Sequence, residues 1–310
     1  MGIPTIIGVI PIERIRAAAA RVRPHVLRSP MVQVEGAQLK LECLQPTGSF
    51  KVRGFFAAAL ALPEERLRRG VITVSAGNAA QACAYVANQL GVPCRVVMYD
   101  SAPPVKLEAV KRWGAKPILM PRDHVLAWLA NEEWKKEPEA FIHPFAEHEV
   151  MAGHGGLGLE LLEDVPAIGR VVVPVGGGGL ISGVASALKG IRPEVEVVGV
   201  QSDGYPMWSR AFEAGGPVAI KPETIADGTT APFDPRMFAL LTENVDRWLI
   251  VPEPRLKAAI PEIATAAKVV AEGAGALAYA ALDQLPPGPT TVAVVSGGNI
   301  DPALLASLLA

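Results

Sequence analysis

Cysteine is scarce in this sequence: three residues, Cys43, Cys83 and Cys94, in a chain of 310, with no C-x-x-C spacing. An odd number at such spacing argues against a disulfide framework or a zinc site and suits a reducing cytosol. Charge of one sign is lacking too. Lys and Arg total 29 against 31 Asp and Glu, a formal net charge of −2, with no basic block or stripe. That removes the electrostatic footprint of a nucleic-acid binder. Long apolar runs are absent, and no stretch approaches the roughly 20 residues of a membrane span. The apolar start "IPTIIGVIPI" lacks a basic n-region, holds two prolines and runs into "ERIR", so no signal peptide is read there. A cytoplasmic protein with neither nucleic-acid nor membrane partners is expected.

What the chain has is apolar bulk. Half of it is hydrophobic, enough to fill the core of two domains or one large one. Short β-branched runs alternate with helical patterns. "VITVSA" (71–76), "CRVVMY" (94–99), "KPILM" and "AFIHPF" come first; "RVVVPV" (170–175), "VEVVGV" (195–200), "RWLIV" (247–251) and "TVAVVSG" (291–297) follow. Near-continuous apolar strands separated by helices indicate α/β units with parallel sheets covered on both faces. The strands are too many for one compact sheet. A smaller unit at 71–146, inserted into a larger one formed by 1–70 and 147–310, is expected. Ligands of such folds sit at the carboxyl ends of the strands.

Unusual sequences fall at those ends. "VPVGGGGLISG" (173–183) puts four glycines between strand and helix. Their bare N–H groups can form an anion nest, or the glycines can serve close packing. Gly177, Gly179 and Gly183, with Asp203 at the end of the next strand, also match a loose dinucleotide-binding spacing. In "SAGNAAQ" (75–81), Ser75 and Asn78 can cap the following helix or offer polar groups to a small anion. Ser296 of "SGGNID" is either a cap or a neutral partner for a ring nitrogen. Glu272 of "AEGAGA" sits in an apolar stretch, so it is a satisfied buried acid or a site acid. Lys51, in "PTGSFKVRG" at the front of a helix, is a solvated lysine or an amine with work to do. A phosphate cradle, an amine, a small-anion loop and a hydroxyl are the parts that hold pyridoxal phosphate.

With these motifs in this order, the chain resembles the fold type II pyridoxal-phosphate enzymes, the tryptophan synthase β-like kind, in the serine/threonine dehydratase branch. The resemblance covers nearly the whole chain and implies two open α/β domains, the smaller inserted in the larger. It puts Lys51 of "GSFKVRG" at the place of the Schiff-base lysine and Phe50 beside the cofactor ring. Ser75, Ala76, Gly77, Asn78 and Ala79 take the place of the substrate-carboxylate loop, with Asn78 also the partner of the cofactor's 3′-oxygen. Gly176, Gly177, Gly178, Gly179 and Leu180 match the phosphate loop, Ser296 the pyridine-nitrogen partner, and Glu272 a further cofactor contact. "GVQ" at 199–201, "IADG" at 225–228 and "EGAGALA" at 272–278 look like the short catabolic threonine dehydratases. The last motif falls near the end of the sequence, so no C-terminal regulatory domain is expected. A homodimer is expected.

The activity implied is β-elimination from L-threonine or L-serine to a 2-oxo acid and ammonia. A bulkier 3-hydroxy amino acid, 3-phenylserine or 3-hydroxyaspartate, is the alternative, with His143, His148 and His154 as candidate bases for a dicarboxylate. A nicotinamide-dependent oxidoreductase is a distant alternative. The sequence departs from the pattern at Ala79, where many relatives have histidine and which looks more like the animal-type serine dehydratases, at Ala146 and Glu147 of "HPFAE", and at His154 and Gly156 of "AGHGG". Ala76 stands where a racemase has a serine, so racemisation is expected to be poor. Gln201 stands where cation-binding relatives have a carboxylate, so no metal is expected.

Overall fold

The computed structural model describes residues 8–310. Residues 1–7, the beginning of the apolar start and of the expected larger unit, lie outside the described residues. The strands are β1 (Met31–Val34), β2 (Ala37–Leu41), β3 (Val71–Val74), β4 (Cys94–Tyr99), β5 (Lys116–Met120), β6 (Ala140–Phe141), β7 (Ile168–Pro174), β8 (Glu196–Ser202), β9 (Arg247–Val251) and β10 (Thr290–Val295). They form two sheets, six-stranded in the order β1-β2-β10-β7-β8-β9 and four-stranded in the order β5-β4-β3-β6.

Continuous apolar runs produce the inner strands. Val171, Val172 and Val173 of β7 are all fully buried. Successive side chains of a strand point to opposite faces, so both faces of β7 must be covered. The helices His148–Asp164 and Gly179–Lys189 pack on one another tightly enough that a Cβ on Gly183 would lie 2.2 Å from the Met151 carbonyl. Of the glycines of "AGHGGLG", Gly155 and Gly158 serve this helix contact, while Gly153 packs against Arg53 and Ala57 and Gly156 against Ala19.

Two expectations change. The six-stranded sheet is mixed, because β1 and β2 pair antiparallel around a turn at Glu35–Gly36, with Gly36 at φ 72°. The alternation in "MVQV" and "AQLKL" and the left-handed glycine are hairpin signals. An apolar-run reading overlooks them because β2 carries Lys40, which is fully buried and held by Glu160 at 2.9 Å and Asp164 at 3.2 Å. "AFIHPF" is a strand for two residues only. Beyond it the His143 ring accepts backbone hydrogen bonds from Phe145 and Ala146, at 3.3 and 2.9 Å, and folds the chain into a turn.

Topology gathers the strand-end loops. β7 and β10 are parallel neighbours, so the glycine loop and "SGGN" emerge side by side. The segment before Lys51 is stitched to the latter: Ser49 bridges Gly297, and the Phe50 N–H donates to the Ser296 carbonyl at 3.0 Å.

Candidate active site

A cavity of about 1240 Å³ opens between the two sheets and is lined by residues from both. Phe50, Lys51, the loop Ser75–Ala79, the run Gly176–Leu180, Glu272 and Ser296 all line it. These residues thus share one space, although they span most of the chain.

Lys51 is the first residue of the helix Lys51–Leu60. Its Nζ donates to the Pro144 carbonyl at 2.7 Å and lies 5.1 Å from the centre of the Phe50 ring. Burial holds the amine down to about 8, against a smaller opposing pull from Glu272. Desolvation disfavours the charged form of an amine, so Lys51 is poised to give and take a proton near neutrality. Two residues on, Arg53 anchors the helix. Its guanidinium donates to Glu42 at 2.7 and 2.9 Å and to Glu160 at 2.7 and 3.0 Å. Burial opposes the charge on Glu42, but Arg53, together with Ser29 and Lys40, outweighs it and keeps that carboxyl below its ordinary range.

The glycine loop leads into the helix Gly179–Lys189. Gly178 is its N-cap residue, at φ 89°, and no side chain caps the first turn. The leading N–H groups of a helix carry partial positive charge and suit an anion. Gly176 packs against the short turn Asp227–Thr229, where a Cβ would lie 2.9 Å from the Thr229 Cα. A Cβ on Gly177 would lie 2.3 Å from the Phe145 ring. Phe145 belongs to the same turn as Pro144, so one turn touches both the lysine and the glycine loop.

Asn78 does not cap its helix; the N-cap residue is Gly77. Its amide donates to Glu272 at 2.6 Å and accepts from Asn299 at 2.8 Å, and Asn299 also donates to the Thr47 carbonyl. Ser75 instead closes its own loop, accepting from the Gly77 N–H at 3.0 Å. Glu272 is buried, and burial pushes its carboxyl up to about 7 although Asn78 pulls it down. Ser296 is buried at the cavity wall, with its hydroxyl 3.5 Å from the Ala274 carbonyl.

The candidate histidines do not assemble into an anion site. None of His143, His148 and His154 lines the cavity. His143 organises its turn, and burial drives its ring down to about 3. His154 is buried behind Phe50, ring centres 4.8 Å apart, and neither of its nitrogens bonds to a protein group. The dinucleotide spacing fails as well. Asp203 lies outside the cavity lining and accepts from the Glu253 N–H at 3.0 Å. The sequence reading missed Pro144, Phe145, Arg53 and Asn299. Only the asparagine left a local signal, its place in "SGGN" beside Ser296.

An uncapped helix start, a depressed amine at hydrogen-bonding distance from a fixed carbonyl, and a neutral hydroxyl on the wall fit a phosphorylated aldehyde cofactor with a basic ring. Fold and cavity thus define an open α/β enzyme that works with pyridoxal phosphate. The sequence matches the family described as pyridoxal-phosphate dependent enzyme over residues 22–297, and the chain belongs to it. Its fold is that of the type II enzymes of this cofactor. L-threonine ammonia-lyase of Thermotoga maritima is 40% identical over 306 residues, covering 94% of this chain and 76% of that one. Maize serine racemase superimposes with a TM-score of 0.90 at 31% identity, over 96% of each chain. A threonine deaminase crystal structure, from T.th., does so with a TM-score of 0.86 at 36% identity, over 94% of this chain and 99% of that one.

Proposed function

We propose that this chain is a dehydratase that eliminates water from L-threonine or L-serine and yields a 2-oxo acid and ammonia. The carrying observation is the partly buried Lys51 amine on the wall of a cavity that also holds an uncapped glycine-rich helix start and the Ser75–Ala79 loop. Likeness to a protein named L-threonine ammonia-lyase supports the reaction.

Bound pyridoxal phosphate supplies an electron-withdrawing ring that disperses negative charge at the substrate α-carbon. The N–H groups from Gly176 to Leu180 would hold the phosphate, Asn78 the ring oxygen, Phe50 a ring edge, and Ser296 the ring nitrogen. Glu272 keeps the Asn78 amide turned toward the cavity through their 2.6 Å bond. The loop Ser75–Ala79 receives the substrate carboxylate and so fixes which bond at the α-carbon faces Lys51. Lys51 Nζ then takes the α-proton; with its pKa lowered to about 8, a useful fraction is the free base near neutrality. Holding base and proton in register can be worth roughly 7–11 kcal/mol at the limit. As a neutral donor, Ser296 does not force a charge onto the ring, which favours prompt loss of the β-hydroxyl.

A second reading, elimination from 3-phenylserine, draws on the apolar end of the cavity, lined by Val97, Val125, Leu126 and Leu129. The same proposal has a smaller unit at 71–146 within a larger one, and a cytoplasmic homodimer. Among the described residues no helix is long and apolar enough to cross a membrane. Light scattering tests the dimer. The reaction is tested with a panel of β-hydroxy amino acids on wild type and Lys51→Ala. Oxo acid should form from L-threonine or L-serine and fall by at least ~10²–10⁴-fold in the variant. Wild-type turnover in Lys51→Ala would remove the lysine from the mechanism.

A further inference from the structure

An ion pair lies in the lining of the cavity. Lys106, on the helix Pro104–Lys111 beside the four-stranded sheet, meets Asp227 at 2.6 Å. Asp227 opens the short turn Asp227–Thr229 that packs on the glycine loop. Both side chains line the same cavity as Lys51 and the Ser75–Ala79 loop. Both fields reach the carboxyl bonded to Asn78: Asp227 raises the pKa of Glu272 and Lys106 lowers it. Lysine and aspartate side chains are 34% and 59% exposed, so the pair contributes little to folding. Its consequence is charge. Apart from Lys51, the other cations on the cavity wall are engaged elsewhere: Lys111 pairs with Glu108 at 2.9 Å, and Arg112 lies over the Trp113 ring. Lys106 is the cation that reaches the Asn78–Glu272 end, and Asp227 cancels it.

We propose that Asp227 is a specificity-determining residue: by neutralising Lys106 it makes the cavity accept uncharged β-hydroxy side chains and refuse a second carboxylate. The proposal rests on the elimination reading and names the substrate class of that site. An unpaired ammonium in the cleft would attract a substrate carboxylate, and an unpaired aspartate would repel it. At contact distance in a partly wet cleft the attraction is on the order of tenfold in affinity.

The test uses the holoenzyme of wild type, Asp227→Asn, Lys106→Met and the double variant. Each is titrated with L-aspartate and with L-alanine, followed by the cofactor absorbance. These ligands differ by one carboxylate and have no β-hydroxyl to lose, so binding is read without turnover. In Asp227→Asn the preference for L-aspartate over L-alanine should rise about tenfold. In Lys106→Met it should fall, and the double variant should return to near the wild-type ratio. Turnover of 3-hydroxyaspartate relative to L-threonine should rise in Asp227→Asn alone. Asp227→Ser serves if the asparagine variant does not fold. An unchanged binding ratio in Asp227→Asn, or a gain that persists in the double variant, would overturn the proposal. A shifted ratio in an enzyme that makes no oxo acid from any β-hydroxy amino acid would uphold the charge assignment and sink the elimination reading.

Discussion

Adding one methyl group at Gly177 should damage the site through Phe145. A Cβ there would lie 2.3, 2.5 and 2.6 Å from three atoms of the Phe145 ring. The ring is 7% exposed and cannot swing into solvent, and its backbone already crowds Gly179. Overpacking of this kind costs about 1–3 kcal/mol. Phe145→Ala removes the obstacle but leaves a cavity, at about 3–5 kcal/mol. In the double variant Gly177→Ala/Phe145→Ala the methyl meets empty space. The two effects should then fall short of additivity by the overpacking cost, about 1–3 kcal/mol. Urea unfolding of the four proteins measures the coupling, and cofactor retention after dialysis gives a second readout. The same turn presents the carbonyl that holds Lys51 Nζ, so Gly177→Ala should also weaken cofactor retention, with partial recovery in the double variant. Additive unfolding energies, or retention unaffected by Gly177→Ala, would refute the argument that Phe145 couples the loop to the lysine.

Three further outcomes are expected. kcat, which reports groups in the substrate complex, should rise with pH along a limb near 8 as Lys51 loses its proton; a profile flat across that value would clear Lys51 of the role of base. Glu272 is held up to about 7 by burial, against an ordinary 4.5, so between these values the folded chain binds more protons than the unfolded one and stability falls as pH rises. Glu272→Gln should flatten that slope in urea titrations, and an unaltered slope would place its origin elsewhere. L-serine in deuterated water should give pyruvate with little D-serine, because Ala76 on the cavity wall offers no proton to the second face; Ala76→Ser should raise the D-serine share, by up to ~10²-fold, and chiral chromatography decides it.

What the sequence determined by itself is the set of strand-end loops and the residue types they carry. Four successive glycines after "VVVPV" cost backbone entropy that a simple turn does not require, which marks them either as an anion nest or as a place of close packing. Consecutive valines marked the inner strands because burial on both faces leaves no room for polar alternation. Lys51 alone said little; its meaning came from the company of those loops. The β1–β2 hairpin was obscured because Lys40 is charged yet buried, and only the tertiary partners Glu160 and Asp164 make that tolerable. Tertiary structure also decided which polar groups meet. Asn78 and Glu272 are 194 residues apart, Asn78 and Asn299 221, and Lys106 and Asp227 121. Local periodicity records which face of an element is buried. It holds no record of which loop ends arrive opposite one another, because that depends on strand order and on the packing of helices between the sheets. The parallel pairing of β7 with β10, and the Ser49–Gly297 bridge beside it, bring the glycine loop, Ser296 and Lys51 to one wall.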